Sequence, residues 1–228
     1  MRRYFYELIG FIIGDGNIYY NKSKKFYRLE LCGNVEEDYD YFEQIQDFLF
    51  INTNNRPRIF IRNEKKGRSL RIQFNNQEFI KSLINFGLPY GKKTFTIKIP
   101  NNLLKKEIMF YILRGLFQAD GCLYFSKSKK GDYPTYPRLE IRSSSFNLVQ
   151  QIRNFLESQG FIVYIKNPKS DRTFSIVLSG EKMLDMWIKK IGFASLKNDS
   201  KYNLWKSKGF YMPNTPLRDR LELCAGIA

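Results

Sequence analysis

Apolar positions along this chain follow two alternating periods, and the alternation runs through the sequence twice. The stretch Leu8-Ile9-Gly10-Phe11-Ile12-Ile13-Gly14 is apolar all round and predicts a buried helix. Asn17 to Tyr20 then reads as a strand, and Asn21 to Lys25 as a polar turn. Phe26 to Cys32 reads as the returning strand, with Leu29 and Leu31 on one face and Arg28 and Glu30 on the other. From Glu36 to Phe50, Tyr41, Phe42, Ile45, Phe48 and Leu49 recur at threes and fours, the mark of a helix buried on one side. Period two returns with Ile59 and Ile61 inward, Arg58 and Arg62 outward. It continues with Leu70, Ile72 and Phe74 inward, Ser69, Arg71 and Gln73 outward. Glu64 to Arg68 is the hairpin loop between them, and Phe79 to Phe86 is a helix stopped by Gly87 and Pro89.

The second half repeats this order. An apolar helical run ends near residue 120, and Leu123 to Phe125 is a strand followed by a loop from Ser126 to Pro137. Arg138-Leu139-Glu140-Ile141-Arg142 matches Arg28-Leu29-Glu30-Leu31 in residue type and alternation. A helix from about Phe146 to Gln159 carries Ile152, Phe155 and Leu156. Phe161 to Lys166 and Thr173 to Leu178 form the second strand pair, and Met183 to Ile191 is a helix ending at Gly192. Gly192 lies 105 residues after Gly87, which points to an internal duplication. The division that follows is 1–100 for the first unit, 101–106 for a polar linker, 107–205 for the second unit and 206–228 for a tail without counterpart. Pro213 and Pro216 break that tail, and its end is expected either to lack order or to pack as an extra helix.

The same offset links two short motifs. Residues 8–16 read Leu8-Ile9-Gly10-Phe11-Ile12-Ile13-Gly14-Asp15-Gly16, and residues 113–121 read Leu113-Arg114-Gly115-Leu116-Phe117-Gln118-Ala119-Asp120-Gly121. Each places small residues four apart, Gly10 with Gly14 and Gly115 with Ala119, on one helix face where two backbones can approach closely. Each ends in Asp-Gly. Gly is the expected residue just past a helix C-terminus, so Asp15 and Asp120 sit at the negative end of a helix dipole. Packed together, the two carboxylates repel each other, and a divalent cation removes the penalty.

On these residues the chain resembles the LAGLIDADG homing endonucleases of the single-chain, two-repeat type. The first motif follows the pattern closely. The second departs from it at Arg114 and Gln118. The resemblance implies an α+β fold of two pseudo-symmetric αββαββα repeats, forming a saddle of antiparallel sheets joined at the motif helices. It also implies metal-dependent hydrolysis of both strands of a long, pseudo-palindromic double-stranded DNA site, as in intron homing, by a monomer. Asp15 and Asp120, with the carbonyls of Gly14 and Ala119, are the implied ligands of Mg²⁺, with Mn²⁺ as a substitute and Ca²⁺ binding without cleavage. Lys92 and Lys197, again 105 residues apart, match the position of a basic residue in the family's active-centre solvent network, and Lys93 is an equal choice in the first half. Where the family often has a water-positioning Gln after its second strand, this chain has Gly33-Asn34 and Ser143-Ser144, so that role is open, with Asn34 one candidate. Two competing readings share the scaffold. One is an RNA-splicing maturase, whose partner is intron RNA, and the other is a DNA-binding regulator without catalysis. An intein is disfavoured because no flanking splicing segments are visible.

Charge fits a polyanion. Lys and Arg number 38 against 22 Asp and Glu, a net charge of +16, and Tyr and Phe are mixed among the cations. The outward strand faces supply candidate base readers: Tyr19, Arg28, Glu30, Arg58, Arg62, Arg71 and Gln73, then Tyr124, Arg138, Glu140, Arg142, Lys166 and Ser175. Loop cations are expected on phosphates: Lys22, Lys24, Lys25, Lys65, Lys66 and Arg68 in the first half, Lys127, Lys129, Lys130, Lys169 and Arg172 in the second. There is no His, which excludes His-based nucleases, Ser-His-Asp and Cys-His triads, and His-ligated zinc enzymes. Cys32, Cys122 and Cys224 read as reduced intracellular thiols, in the cytoplasm of a prokaryote or an organelle of a eukaryote. Arg2 and Arg3 before an apolar run mimic a signal peptide, but Glu7 interrupts it and no cleavage site follows. No membrane partner is expected.

Overall fold

The computed structural model describes residues 2–21, 23–64, 67–127, 132–167 and 172–226. The first repeat runs α1 (Arg2–Asp15), β1 (Gly16–Asn21), β2 (Phe26–Asn34), α2 (Tyr39–Thr53), β3 (Arg58–Glu64), β4 (Gly67–Phe74) and α3 (Gln77–Asn85). An irregular stretch with one 3₁₀ turn at Asn101–Leu103 leads to the second. That repeat runs α4 (Lys106–Asp120), β5 (Gly121–Lys127), β6 (Pro134–Ser143), α5 (Phe146–Ser158), β7 (Tyr164–Lys166), β8 (Phe174–Ser179) and α6 (Glu181–Lys190). Two further helices close the chain, α7 (Leu196–Lys208) and α8 (Leu217–Ala225). The strands form two four-stranded antiparallel sheets of the same order, β1-β2-β4-β3 and β5-β6-β8-β7.

Local chemistry sets where these elements begin and end. Asn76, Ser145 and Ser195 cap α3, α5 and α7 by accepting the amides of Phe79, Leu148 and Lys197. α2 starts at Tyr39, three residues later than its apolar period suggests. The Asn34 side chain accepts from the amides of Glu36 and Glu37 at 2.8 and 3.0 Å, and Asp38 Oδ2 accepts from the Asn34 amide at 2.7 Å, so residues 34–38 are held as a turn. β7 keeps only three of the six residues expected in it. The Phe161 amide closes the end of α5 on the Leu156 carbonyl at 3.0 Å, after Gly160 takes φ +87°, and so is withdrawn from any sheet. No strong amphipathic period announces α7. Its buried apolar residues, Leu204 and Trp205, sit near one end, while Leu196 at the other end is exposed.

One continuous core runs through both repeats. Inward strand residues Leu29, Leu31, Leu70, Ile72 and Phe74, and Leu139, Ile141, Ile176 and Leu178, meet the apolar faces of the helices. The other face of each sheet carries the polar residues. α1 and α4 lie at the centre, with 7–13 of α1 and the stretch 115–118 of α4 buried, so the polar ends of the two motifs come together between the sheets.

Candidate active site and sheet faces

α1 and α4 cross backbone to backbone. A Cβ on Gly10 would lie 2.0 Å from the Ile112 carbonyl oxygen, and one on Gly115 would lie 1.8 Å from that of Glu7. One turn on, a Cβ on Gly14 would stand 2.6 Å from the Ala119 Cβ and 2.8 Å from Asp120 Oδ2. The small residues four apart therefore do what their spacing suggests. The Gly after each Asp has another reason. Gly121 is extended, with φ −98° and ψ 155°, and is not a left-handed cap. A Cβ on Gly16 would sit 2.5 Å from the Ile12 Cα, and one on Gly121 would sit 2.4 Å from the Phe117 carbonyl oxygen. Each glycine is needed because the chain folds straight from helix into strand against its own last turn.

This crossing brings the ends of the two motifs together. Asp120 is half-buried. Burial, followed by the charge of Asp15, pushes its carboxyl up to about 7, while Lys93 and then Lys197 pull it down. Asp15 opens to solvent on one side although protein surrounds it on the others. Burial raises its pKa as well, opposed most by Lys197 and less by Lys93. The pairing is thus crossed: each carboxylate feels most strongly the lysine of the other repeat.

The two lysines are held differently. Lys93 Nζ donates to the carbonyls of Ile12, Ile13 and Gly14, the last turn of α1, and burial lowers its pKa to about 8 despite Asp120 and Asp15. An ammonium there offsets the helix dipole that disfavours Asp15. Lys92, at the strict 105-residue offset, is exposed and lines the cleft above, so the lysine that reaches the helix is its neighbour. Lys197 Nζ donates to the Gln118 carbonyl at 3.4 Å and pairs with Asp38 Oδ1 at 3.1 Å. Lys197 opens a regular helix whereas Lys93 sits in an irregular loop, and this shifts the register by one.

Arg114 and Gln118, the unusual members of the second motif, are both satisfied across the interface. Arg114 pairs with buried Glu7 at 3.3 Å and donates to the Phe193 carbonyl at 3.0 Å. Buried Gln118 donates to Asp38 Oδ1 at 2.9 Å and accepts from Ser195 Oγ at 3.0 Å. Asp38, buried and ahead of α2, was not singled out from the sequence, because a lone Asp before a helix reads as a cap.

A cleft of about 710 Å³ opens beside Asp120 and Lys93, lined also by Asn17, Arg142, Ser143 and Ser144. Its pseudo-symmetric mate, of about 430 Å³, is lined by Asn34, Cys122 and Tyr124, but Lys201 and Arg220 of the last two helices form its far wall. Asn34 uses its side-chain oxygen in the loop turn and lines this smaller cleft. Among the described residues no three His, Cys, Asp or Glu side chains converge. A cation held by Asp15 and Asp120 would have to draw its remaining ligands from backbone carbonyls, water or a phosphate. That all-oxygen donor set fits a hard divalent cation.

The sheet faces place most of the expected readers side by side. Tyr19 is paired across from Arg28, Glu30 from Gln73 and Gln73 from Arg58, while Arg62 follows on β3. Arg71 is tied to Glu30 at 3.3 Å and to Glu64. Phe60, opposite Arg71, shares this face without having been expected there. In the second sheet Tyr124 lies across from Arg138, and Arg142 and Lys166 both across from Ser175. Ser175 is itself buried, 7% exposed, and with Tyr124 hydrogen-bonds Glu140. Lys166 reaches the same Glu140 at 3.9 Å. Arg138 bonds Ser126 and Ser179, so these two serines join the face. Lys24, Lys25, Arg68, Lys127 and Arg172 are exposed at the sheet edges. Lys22, Lys65, Lys66, Lys129, Lys130 and Lys169 lie outside the described residues.

Comparison with known proteins agrees with this geometry. Residues 107–192 match the family model described as a LAGLIDADG-like domain. The homing endonuclease I-DmoI in complex with DNA and Ca superposes with TM-score 0.56 at 17% identity, covering 82% of this chain and 87% of that one. Its complex with DNA and Mn gives 0.55 at 17% identity, covering 82% and 94%. The homing endonuclease I-WcaI bound to its DNA recognition sequence gives 0.57 at 19% identity, covering 84% and 81%. The chain therefore has the two-repeat LAGLIDADG fold. The replication factor C small subunit of Methanocaldococcus jannaschii is 28% identical over 213 residues, covering 86% of this chain. This chain spans only 11% of that protein's length. No helix among the described residues is long and apolar enough to cross a membrane.

Proposed function

We propose that the chain is a site-specific homing endonuclease, acting as a monomer, that hydrolyses both strands of a long, nearly palindromic DNA site with divalent ions, Mg²⁺ by preference. The observation that carries this reading is the crossed arrangement at the helix ends. Two carboxylates and two lysines, contributed by opposite repeats, meet between two polar sheet faces. In this reading residues 1–100 and 107–205 each read one half-site, and the linker 101–106 spans the dyad.

Asp15 and Asp120, with the carbonyls of Gly14 (which also accepts from Lys93 Nζ) and Ala119, would hold the cation. When bound, it neutralises phosphate charge and activates water. The chain's own residues do the rest. Lys93 and Lys197 bring positive charge to the scissile phosphates and to the solvent beside them. Arg142, Ser143 and Ser144 line the wall of the larger cleft, where the water of that centre is oriented. The twisted sheets enter the major groove. Net charge of +16 gives non-specific attraction to phosphates.

Cut sites are selected from a randomised duplex library, and the recovered site is then placed in a supercoiled plasmid. With Mg²⁺ the plasmid becomes linear, and with EDTA it stays intact. Tight, sequence-specific binding with no cleavage under Mg²⁺ or Mn²⁺ refutes the endonuclease and leaves a DNA-binding regulator. Splicing of an intron transcript by the same preparation identifies a maturase.

A further inference from the structure

The last two helices have no counterpart in the first repeat, and they end on one residue that joins the two repeats. Arg220 of α8 is 1% exposed. Its guanidinium makes five hydrogen bonds, as many as it has N–H donors. Nε donates to Ser200 Oγ at 2.9 Å, Nη1 to the Thr215 carbonyl at 2.6 Å and to Glu37 Oε1 at 3.1 Å. Nη2 donates to Glu37 Oε2 and to the Lys197 carbonyl at 3.2 Å. Glu37 belongs to the first repeat and precedes Asp38. Asp38 is the carboxylate that pairs with Lys197 Nζ at 3.1 Å. One side chain thus grips the backbone of Lys197 and the residue beside that lysine's partner. Lys93 needs no such support, because the last turn of α1 holds it directly.

We infer that Arg220 is a positioning residue for one of the two strand-cutting centres, the one that uses Lys197, and that the tail makes that centre selectively dependent on it. This rests on the endonuclease reading above. A rigid, fully bonded guanidinium fixes Lys197 relative to Asp15, and a displacement of about 1 Å in such a centre costs up to roughly a hundredfold in rate. The opposite centre, with Lys93 and Asp120, is left untouched.

The test is Arg220→Met, with Glu37→Gln as the milder change that leaves the arginine in place. Each DNA strand is labelled separately and cut under single-turnover conditions. The expected result is a drop of about tenfold or more on one strand only. Supercoiled plasmid then accumulates as nicked circle, and site binding by gel shift is kept. Lys93→Met should slow the other strand. Equal slowing of both strands, or a wild-type strand ratio in a folded Glu37→Gln, overturns the inference. A second readout needs no cleavage: reductive methylation of lysines in the free protein, resolved by mass spectrometry. Lys197 should label faster in either variant while Lys93 does not, and unchanged Lys197 labelling overturns the inference even if the wild type proves only a binder. A wild type that cuts neither strand, with Lys197 labelling raised in the variants, refutes the endonuclease reading and keeps the positioning role.

Discussion

Gly10→Ala and Gly115→Ala probe the crossing on which the whole site depends. The added methyl would start 2.0 Å from the Ile112 carbonyl oxygen in one case and 1.8 Å from the Glu7 carbonyl oxygen in the other. Approaches under 3.0 Å essentially do not occur, so the helices must part by at least 1.0 Å (3.0 − 2.0) or 1.2 Å (3.0 − 1.8). The obstacles are backbone atoms, which cannot swing aside as a side chain can. Overpacking of this kind costs about 1–3 kcal/mol or more. Ala is the better helix former by up to about 1 kcal/mol, which offsets part of it. A net loss of about 1–2 kcal/mol lowers the melting temperature by roughly 2–8 °C for a domain of this size. Cleavage should suffer more than stability, because Asp15 and Asp120 ride on the same helices and a shift of about 1 Å can cost up to roughly a hundredfold. The assay pairs calorimetric melting with single-turnover cleavage well below the melting point. Gly209→Asn is the control: its site is open and left-handed at φ +75°, a conformation Asn tolerates. Variants at Gly10 and Gly115 that melt at or above the wild type would refute the backbone-on-backbone crossing.

Three other outcomes are expected. The folded pKa of Asp120, about 7, lies above the roughly 3.9 of an unfolded Asp, so without metal stability should fall as pH rises from about 4 to about 7 and stay reduced above. Asp120→Asn should flatten that slope, melt above the wild type at pH 8 in EDTA, and lose both Ca²⁺-induced stabilisation and double-strand cleavage. A wild type whose melting point climbs from pH 5 to 8 more steeply than the variant's would contradict this. DNA affinity should fall steeply with salt, at about −0.9 in log–log slope per phosphate neutralised, and titration by fluorescence anisotropy at several salt concentrations measures it. A flat line would end the DNA assignment. Arg71→Ala should blur base preference by roughly 1–3 kcal/mol, whereas Lys24→Ala should weaken all sequences alike, which competition against a mismatched-site library would resolve.

The elements most legible in the sequence were those whose period is set by burial. The alternation of Leu29 and Leu31 with Arg28 and Glu30 is the alternation of the β2 faces, because one face of the sheet must meet the core. The small residues of the two motifs were legible for the same reason, since their spacing reports which helix face is pressed against another. The role of Gly16 and Gly121 was not, because the Gly past a helix end ordinarily signals a left-handed turn, and only the observed extended backbone shows that the demand is space. The sequence left Lys92 and Lys93 as equal choices, and the fold puts Lys93 Nζ on the last turn of α1. A fixed repeat offset assumes equal local structure, and here one lysine opens a helix while the other sits in a loop. Asp38, Ser195 and Arg220 escaped notice because their partners are far off in sequence: Gln118 for Asp38 and for Ser195, Glu37 for Arg220.

The crossed pairing bears on how the two repeats can diverge. Asp15 feels Lys197 of the other repeat more than its own Lys93, and Asp120 feels Lys93 more than its own Lys197. A change in one repeat is therefore felt in the other. The second motif shows such matching. Gln118 stands where the motif usually has another residue, and it is accommodated by Asp38 from the first repeat and Ser195 from the second. Asp38 in turn takes Lys197, which the α1 carbonyl cradle that serves Lys93 does not reach. The symmetry of the fold is kept where backbone packing demands it, at Gly10 and Gly115. It is given up where side chains can substitute for one another: both lysines reach a carbonyl of a motif helix's last turn, but Lys197 is also paired with a carboxylate held from the far repeat. In the endonuclease reading, two centres that share a fold but not a supporting shell need not cut their strands at equal rates, and the clefts differ likewise, since Lys201 and Arg220 line the smaller one and no residue of α7 or α8 lines the larger.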